Sequence, residues 1–237
     1  MHRTVVVVVL NALLNVAILL GPGCSSGSSP RGGQRTKTYS WVWIVTGPND
    51  GTTTGAARTE AFQGHFANMK RMARDRQLLV AGPFGEPRAA HNHRGMFLLN
   101  TADEQTARAI ASSDPTGRAG VFLFEIEPFT TMDTLDRLND MHEKAVTESG
   151  VEAPPPGFHC RSYVLVSHKD TDHAPSTLVH EHVLFDGIVG RGVNRRYLAC
   201  LDATSKDNAM QLLPEQGRDA WTIMAWYATE EIVRLRR

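Results

Sequence analysis

Glu60-Ala-Phe-Gln-Gly-His65-Phe-Ala-Asn-Met-Lys70, followed by Leu78-Leu-Val-Ala-Gly-Pro-Phe84, is the stretch whose reading decides the fold. The first segment is helical. Across Arg58 to Arg76 the apolar residues Phe62, Phe66, Met69 and Ala73 stand at i, i+4, i+7 and i+11, which marks one helical face. The second segment, Gln77 to Phe84, is rich in strand formers and ends in a Gly-Pro turn. Gly82-Pro83-Phe84-Gly85 is not a phosphate loop, because no Lys-Ser/Thr and no helix follow it.

Working outward, Tyr39 to Thr46 is an aromatic and β-branched strand, and 47–55 is a Gly/Thr/Asn/Asp loop. Arg94 to Asn100 is a further strand, reached through a polar loop containing His91-Asn92-His93. Asp103 to Ser113 reads as a second helix with Ala107, Ile110 and Ala111 inward, and Ala119 to Phe129 as a last strand. The resulting order is βαββαβ, the split ferredoxin-like arrangement.

The pattern then recurs. Phe97 to Gly120 aligns with Tyr197 to Ala220 without a gap, at a constant offset of 100 positions. Thr116-Gly117-Arg118 faces Gln216-Gly217-Arg218, and Ala109 faces Ala209. Upstream, Tyr163 to Ser167 repeats the first strand and Ser176 to Phe185 a shortened first helix. Few identities remain, but the order of elements is that of a tandem duplication. Met132 to Ser149 is a helical connector with Leu135, Leu138 and Met141 on one side, and Ala153-Pro-Pro-Pro-Gly157 is a stiff break. The expected organisation is an α+β chain with an N-terminal leader (1–24), a tether (25–38), a first module (39–129), a connector (130–157) and a diverged second module (158–237).

Chemistry concentrates on His65 and Asp114. In a βαββαβ unit the two helices run antiparallel on one face of the sheet, so the first begins where the second finishes. His65, one to two turns into the first helix, and Asp114, at the exit of the second, are therefore expected at the same end of the module. A carboxylate beside an imidazole fixes its tautomer and suits it to acid/base work near neutral pH. The same residues admit a structural reading: a helix-edge histidine often only satisfies its neighbours, and Asp before Pro commonly ends a helix and starts a turn.

Taken together, 39–129 resembles the YCII-related domain, a small module of the dimeric α+β barrel superfamily. The resemblance implies that His65 matches the family histidine and Asp114 its acidic partner. In that superfamily two such modules pack sheet to sheet as a dimer. The resemblance therefore implies that the duplicated chain forms the pair internally, as an intrachain pseudo-dimer. It also implies a small cyclic or aromatic compound as substrate. The second module departs from the pattern: Pro214 stands where Asp114 would be, with Glu215 next to it, and His180 and His182 compete for the place of His65.

Other constellations carry less. His91-x-His93 lies on a loop, His180-x-His182 on a helix would aim its rings apart, and no Cys-x-x-Cys or His-Glu-x-x-His is present, so no metal or cofactor is expected. Trp41 and Trp43 share one strand face and read as pocket-lining or, more commonly, sheet-packing aromatics. Lys plus Arg and Asp plus Glu both number 25, so no basic surplus exists to hold a nucleic-acid backbone.

The N-terminus reads as an export signal. His2 and Arg3 precede an apolar run from Thr4 to Leu20, and Gly21-Pro-Gly-Cys24-Ser-Ser follows. Cys24 at this break resembles a bacterial lipobox cysteine, although Gly21 and Pro22 depart from its commonest residues; an uncleaved membrane anchor is the other reading. An oxidising compartment would let Cys160 and Cys200 pair, with two free thiols as the equal alternative. The expectation is thus an exported, lipid-anchored envelope protein. It is either a small-molecule enzyme using His65 and Asp114, or a non-catalytic protein binding a ligand or partner through its duplicated barrel. Cys24→Ser is expected to lose a lipid mass and detergent partitioning, whereas a wild-type chain retaining Met1 contradicts the anchor.

Overall fold

The computed structural model describes residues 36–155, 157–178 and 180–235, all within one compact unit. Cys24, the apolar run before it and the tether as far as residue 35 lie outside the described residues. Among the described residues no helix is long and apolar enough to cross a membrane.

The chain is mixed α+β. Its first half runs β1 (Lys37–Thr46), α1 (Gly55–Arg74), β2 (Leu78–Pro83), β3 (His93–Leu99), α2 (Glu104–Ser112), the short α3 (Pro115–Arg118) and β4 (Phe122–Thr131). The connector forms α4 (Leu138–Glu148). The second half runs β5 (Cys160–His168), a single turn α5 (Ala174–Thr177), β6 (Val183–Val189), β7 (Arg196–Leu201), α6 (Lys206–Leu212) and β8 (Thr222–Thr229). All neighbouring strands are antiparallel, in the order β2-β3-β1-β4-β6-β7-β5-β8.

That order corrects one expectation. The halves do not present two separate sheets face to face; they share one eight-stranded sheet that curls into a nearly closed barrel. Each half would otherwise leave two unpaired edges, and edge-to-edge pairing satisfies their backbone groups. On one side β4 meets β6 at Phe129–Val189 and Thr130–Ile188, and the Gly190 N–H donates to the Pro128 carbonyl at 3.0 Å. On the other, Phe84 bridges to Trp226, and the Gly85 N–H donates to the Ala225 carbonyl at 2.9 Å. Both seams close over a glycine. A Cβ on Gly187 would collide with the Thr130 carbonyl, and one on Gly82 with the Tyr227 carbonyl.

Strand alternation explains why β1 is apolar throughout. Tyr39, Trp41, Trp43 and Val45 face the barrel interior, while Val42 and Ile44 pack under the helices of the first half. The interior is filled from both halves: Trp41, Phe129, Tyr163, Phe185 and Trp226 are all fully buried there. Trp41 and Trp43 are therefore sheet-packing aromatics. The indole N–H groups of Trp41 and Trp226 find no acceptor among the described residues, at a cost of about 1–3 kcal/mol each. Leu135 and Leu138 of the connector join Ile232 and Leu235 in the same cluster, and Tyr39 Oη accepts the Leu135 N–H at 3.2 Å.

Two local readings are revised. The buried face of α1 is Ala61, His65, Asn68 and Met72, one residue and hence about 100° round from the apolar stripe. Phe62 and Met69 are only partly buried, and Phe66 is exposed. In the second half Ser176 to Phe185 is not a helix. Helical structure there is α5 and a 3₁₀ turn at His180–His182, because Val183 and Phe185 are drawn into register with Leu201 and Cys200 of β7. Cys160 and Cys200 are both free. Cys200 pairs with Leu165, five positions along β5 from Cys160, about 17 Å away and far beyond disulfide reach.

Candidate functional site

The packing of α1 against α3 creates the most unusual polar site among the described residues. Asp114 caps α3, and Pro115 opens it at the position where a missing N–H costs nothing. Gly64, in the middle of α1, is what lets α3 approach. A Cβ there would stand 2.8 Å from Pro115 Cγ. Glycine inside a 20-residue helix costs about 0.5–1 kcal/mol against alanine, so close approach is the reason for its presence.

Asp114 has no solvent exposure, and its carboxylate is met by four donors. Oδ2 accepts from His65 Nδ1 at 2.9 Å and from the Asn68 amide at 3.2 Å. Oδ1 accepts from the Thr116 backbone N–H at 3.0 Å and from the Thr116 hydroxyl at 2.5 Å. Burial alone pushes the carboxyl up. The His65 hydrogen bond and charge, with the bonds from Thr116 and Asn68, together outweigh burial and hold it below its ordinary value of 3.8. Asp114 is therefore ionised at neutral pH, and an ionised carboxylate only accepts, so His65 Nδ1 must carry a proton.

His65 is 7% exposed. Its ring stacks on Phe97 at 5.8 Å and meets Phe62, Phe66 and Phe122 edge-on at 6.3, 5.4 and 5.9 Å between centroids. Among the described residues nothing hydrogen-bonds Nε2. With Nδ1 engaged by Asp114, Nε2 is the ring nitrogen left unpartnered among the described residues. A surrounding network stiffens the pair. Arg71 donates to the Asn68 side-chain oxygen at 3.0 Å and to Ser113 Oγ at 3.1 Å, and Ser113 Oγ donates to the same Asn68 oxygen at 3.2 Å.

His65 and Asp114 are thus brought together, whereas the other candidates are not. Among the described residues the second half has no helix of the length of α1, and none of its histidines stands on such a helix. His182 lies nearest Glu181, at 3.6 Å, and the His180 side chain lies outside the described residues. His93 packs its ring on Trp43 at 5.1 Å, and burial lowers its pKa. Among the described residues no three His, Cys, Asp or Glu side chains are grouped to hold a metal.

Sequence reasoning missed Asn68, Thr116, Arg71 and Ser113. Two of these carried a signal. Asn68 stands three residues after His65, on the same helical face, and Asp-Pro-Thr is a common side-chain-capped turn. A second cluster gave none. Glu127 Oε2 accepts from Trp43 Nε1 and from Arg196 Nη2, each at 2.6 Å, while the Arg196 guanidinium lies 5.3 Å from the Trp43 ring centroid. This clasp ties β4 to β7 beyond the point where β4 and β6 stop pairing.

In comparison with protein-family models and with curated proteins, the chain matches none.

Because the folded pKa of Asp114 is depressed, its stabilisation is present above about pH 3.8 and is lost as pH falls through the lower folded value. Asp114→Asn is expected to cost about 2 kcal/mol or more at neutral pH and to flatten the acid limb of stability below that pH. Urea midpoints measured across the acid range check this. Parallel wild-type and variant curves contradict it.

Proposed function

We propose that this chain is an exported, YCII-like enzyme acting on a small molecule, with His65 as general acid/base and Asp114 as the residue that orients it. One observation carries the reading: His65 Nδ1 is engaged by a buried carboxylate at 2.9 Å, while Nε2 has no partner among the described residues. Such an arrangement commits the ring to one tautomer and leaves one nitrogen for chemistry. Phe62 and Phe66, in contact with the His65 ring, lie on the side of α1 that is open to solvent.

The reading extends to architecture. We take the two halves as copies of one ferredoxin-like module, forming within one chain the pair that the superfamily builds from two. In support, both halves place their strands in the order second, third, first, fourth, running from β2 to β4 and from β6 to β8. The 100-position offset also carries over to the elements: β3 and β7, α2 and α6, and β4 and β8 occupy corresponding numbers. The second copy, lacking an equivalent of α1, serves packing and barrel closure. Export and the Cys24 anchor, read from the N-terminal sequence, would place the protein at the cell envelope.

A non-catalytic ligand- or partner-binding protein is the second reading, favoured by the aromatic-filled barrel interior, which leaves the chemistry only the helix side. The two separate in one experiment. A metabolite pool in D₂O is incubated with wild type and with His65→Gln, and every mass consumed, formed or deuterated is followed. The enzyme reading expects at least one change that the variant slows by about 10²–10⁴-fold. A pool with no His65-dependent change overturns it.

A further inference from the structure

We propose that His142 is an acid-operated latch: its neutral ring fastens the connector helix α4 to the end of β8, and its protonation releases that helix from the barrel. The device is separate from the His65 site and does not depend on it.

α4 is lightly held past its first turn. It buries Leu138 and Asn139, both at its start. Leu138 packs with Leu135, Ile232 and Leu235 in the barrel interior, and Asn139 donates to the Ala73 carbonyl at 2.9 Å. Arg76 and Asp140 pair at 2.6 Å, but both are exposed, where an ion pair contributes little. Among the described residues the side chains of 143–149 form hydrogen bonds and ion pairs only within the helix and its exit. The polar hold on the second turn is therefore His142, whose Nδ1 lies 2.9 Å from Thr229 Oγ1.

The hydrogen inventory assigns the direction of that bond. Thr229 is buried. Its hydroxyl oxygen accepts the Glu231 N–H at 3.3 Å, and its carbonyl accepts from the Tyr163 hydroxyl at 2.9 Å. The Thr229 hydroxyl hydrogen has one acceptor among the described residues, His142 Nδ1. The bond therefore forms with a neutral ring, bare at Nδ1. A second ring proton would land on Nδ1 and turn the acceptor into a donor. The buried Thr229 hydrogen would then be left without a partner, which destabilises the contact.

The charged surroundings oppose that second proton. His159, just before β5, lies close enough to repel it. This residue sits at a φ of 51°, uncommon for a side chain other than glycine, with its carbonyl accepting the Glu230 N–H at 2.9 Å. Burial pushes the neighbouring Cys160 thiol up to about 11, so it adds no charge at neutral pH. The 3₁₀ segment Glu230–Leu235 brings Glu230, 3.9 Å from His159 Nδ1, and Glu231, 2.9 Å from Arg234. α4 itself supplies the exposed Glu143, and β2, packed against the helix, has no titratable residue. Among the described residues no carboxylate hydrogen-bonds His142. Burial of the ring and the His159 charge outweigh the attraction of Glu231 and Glu143, and hold the His142 pKa below its ordinary 6.5. The unfolded chain thus takes the proton more readily. The latch contributes in full above about pH 6.5 and is lost as pH falls from there through the lower folded value.

Two measurements on the full chain test the latch: two-bond ¹H–¹⁵N correlation of the His142 ring, and hydrogen–deuterium exchange from about pH 7 to about pH 4.5, corrected for intrinsic rates. Near pH 7 the ring is expected to be neutral, protonated at Nε2 and bare at Nδ1; a proton on Nδ1 overturns the proposal. At the acid end 138–148 and 229–235 should exchange about tenfold faster or more, with 37–46 of β1 unchanged. His142→Gln, which cannot gain a charge, should remove that difference. Equal acceleration in the variant, or acceleration shared by β1, overturns the latch. His159→Gln keeps the latch and removes the repelling charge, so release should move to higher pH. A midpoint that stays in place or falls contradicts the proposal, and this arm needs no change at His142.

Discussion

A carboxylate with no solvent contact has to be met by donors, and Asp114 shows how much of the first half is arranged to do that. The requirement turns α1 so that His65 and Asn68 face inward and displaces the more apolar Phe66 to the surface. It accounts for a glycine in the middle of a long helix, since only Gly64 lets Pro115 approach closely enough for Asp114 to reach His65. It fixes which imidazole nitrogen holds the proton. An unpaired buried charge costs several kcal/mol, so these choices are coupled: losing one donor leaves the others holding an unsatisfied ion.

The molecule divides its labour between the two faces of one sheet. The concave face is closed by pairing the outer strands of each half, sealed over Gly82 and Gly187, and packed with aromatic side chains. Two indole donors without acceptors among the described residues indicate how few polar groups that interior holds. The convex face under α1 and α2 instead holds the buried Asp114 carboxylate and the His65 ring bonded to it. Among the described residues the second half has only the single turn α5 and a 3₁₀ turn between β5 and β6, and Pro214 stands 100 positions after Asp114.

Much of this was legible in the residues. Strand alternation located every strand of the first half to within a few positions, and antiparallel helix topology was sufficient to bring residues 49 positions apart to one place. The 100-position offset anticipated the second half from β7 onward. What failed did so for physical reasons. The apolar stripe of α1 was taken for its buried face, because periodicity counts hydrophobic residues and is blind to polar ones satisfied by a distant partner. Ser176 to Phe185 was read as helix by analogy, yet the demand of β7 for a strand partner outweighed it. The seams between the halves, and the Trp43–Glu127–Arg196 clasp beside one of them, depend on long-range closure that no local pattern encodes.

Asp114 holds His65 with its proton on Nδ1 and leaves Nε2 without a partner among the described residues. Two-bond ¹H–¹⁵N correlation of the His65 ring in the folded protein measures this directly. A protonated Nδ1, hydrogen-bonded to Asp114, is expected wherever the fold persists. A neutral ring protonated at Nε2, with a bare Nδ1, would contradict it.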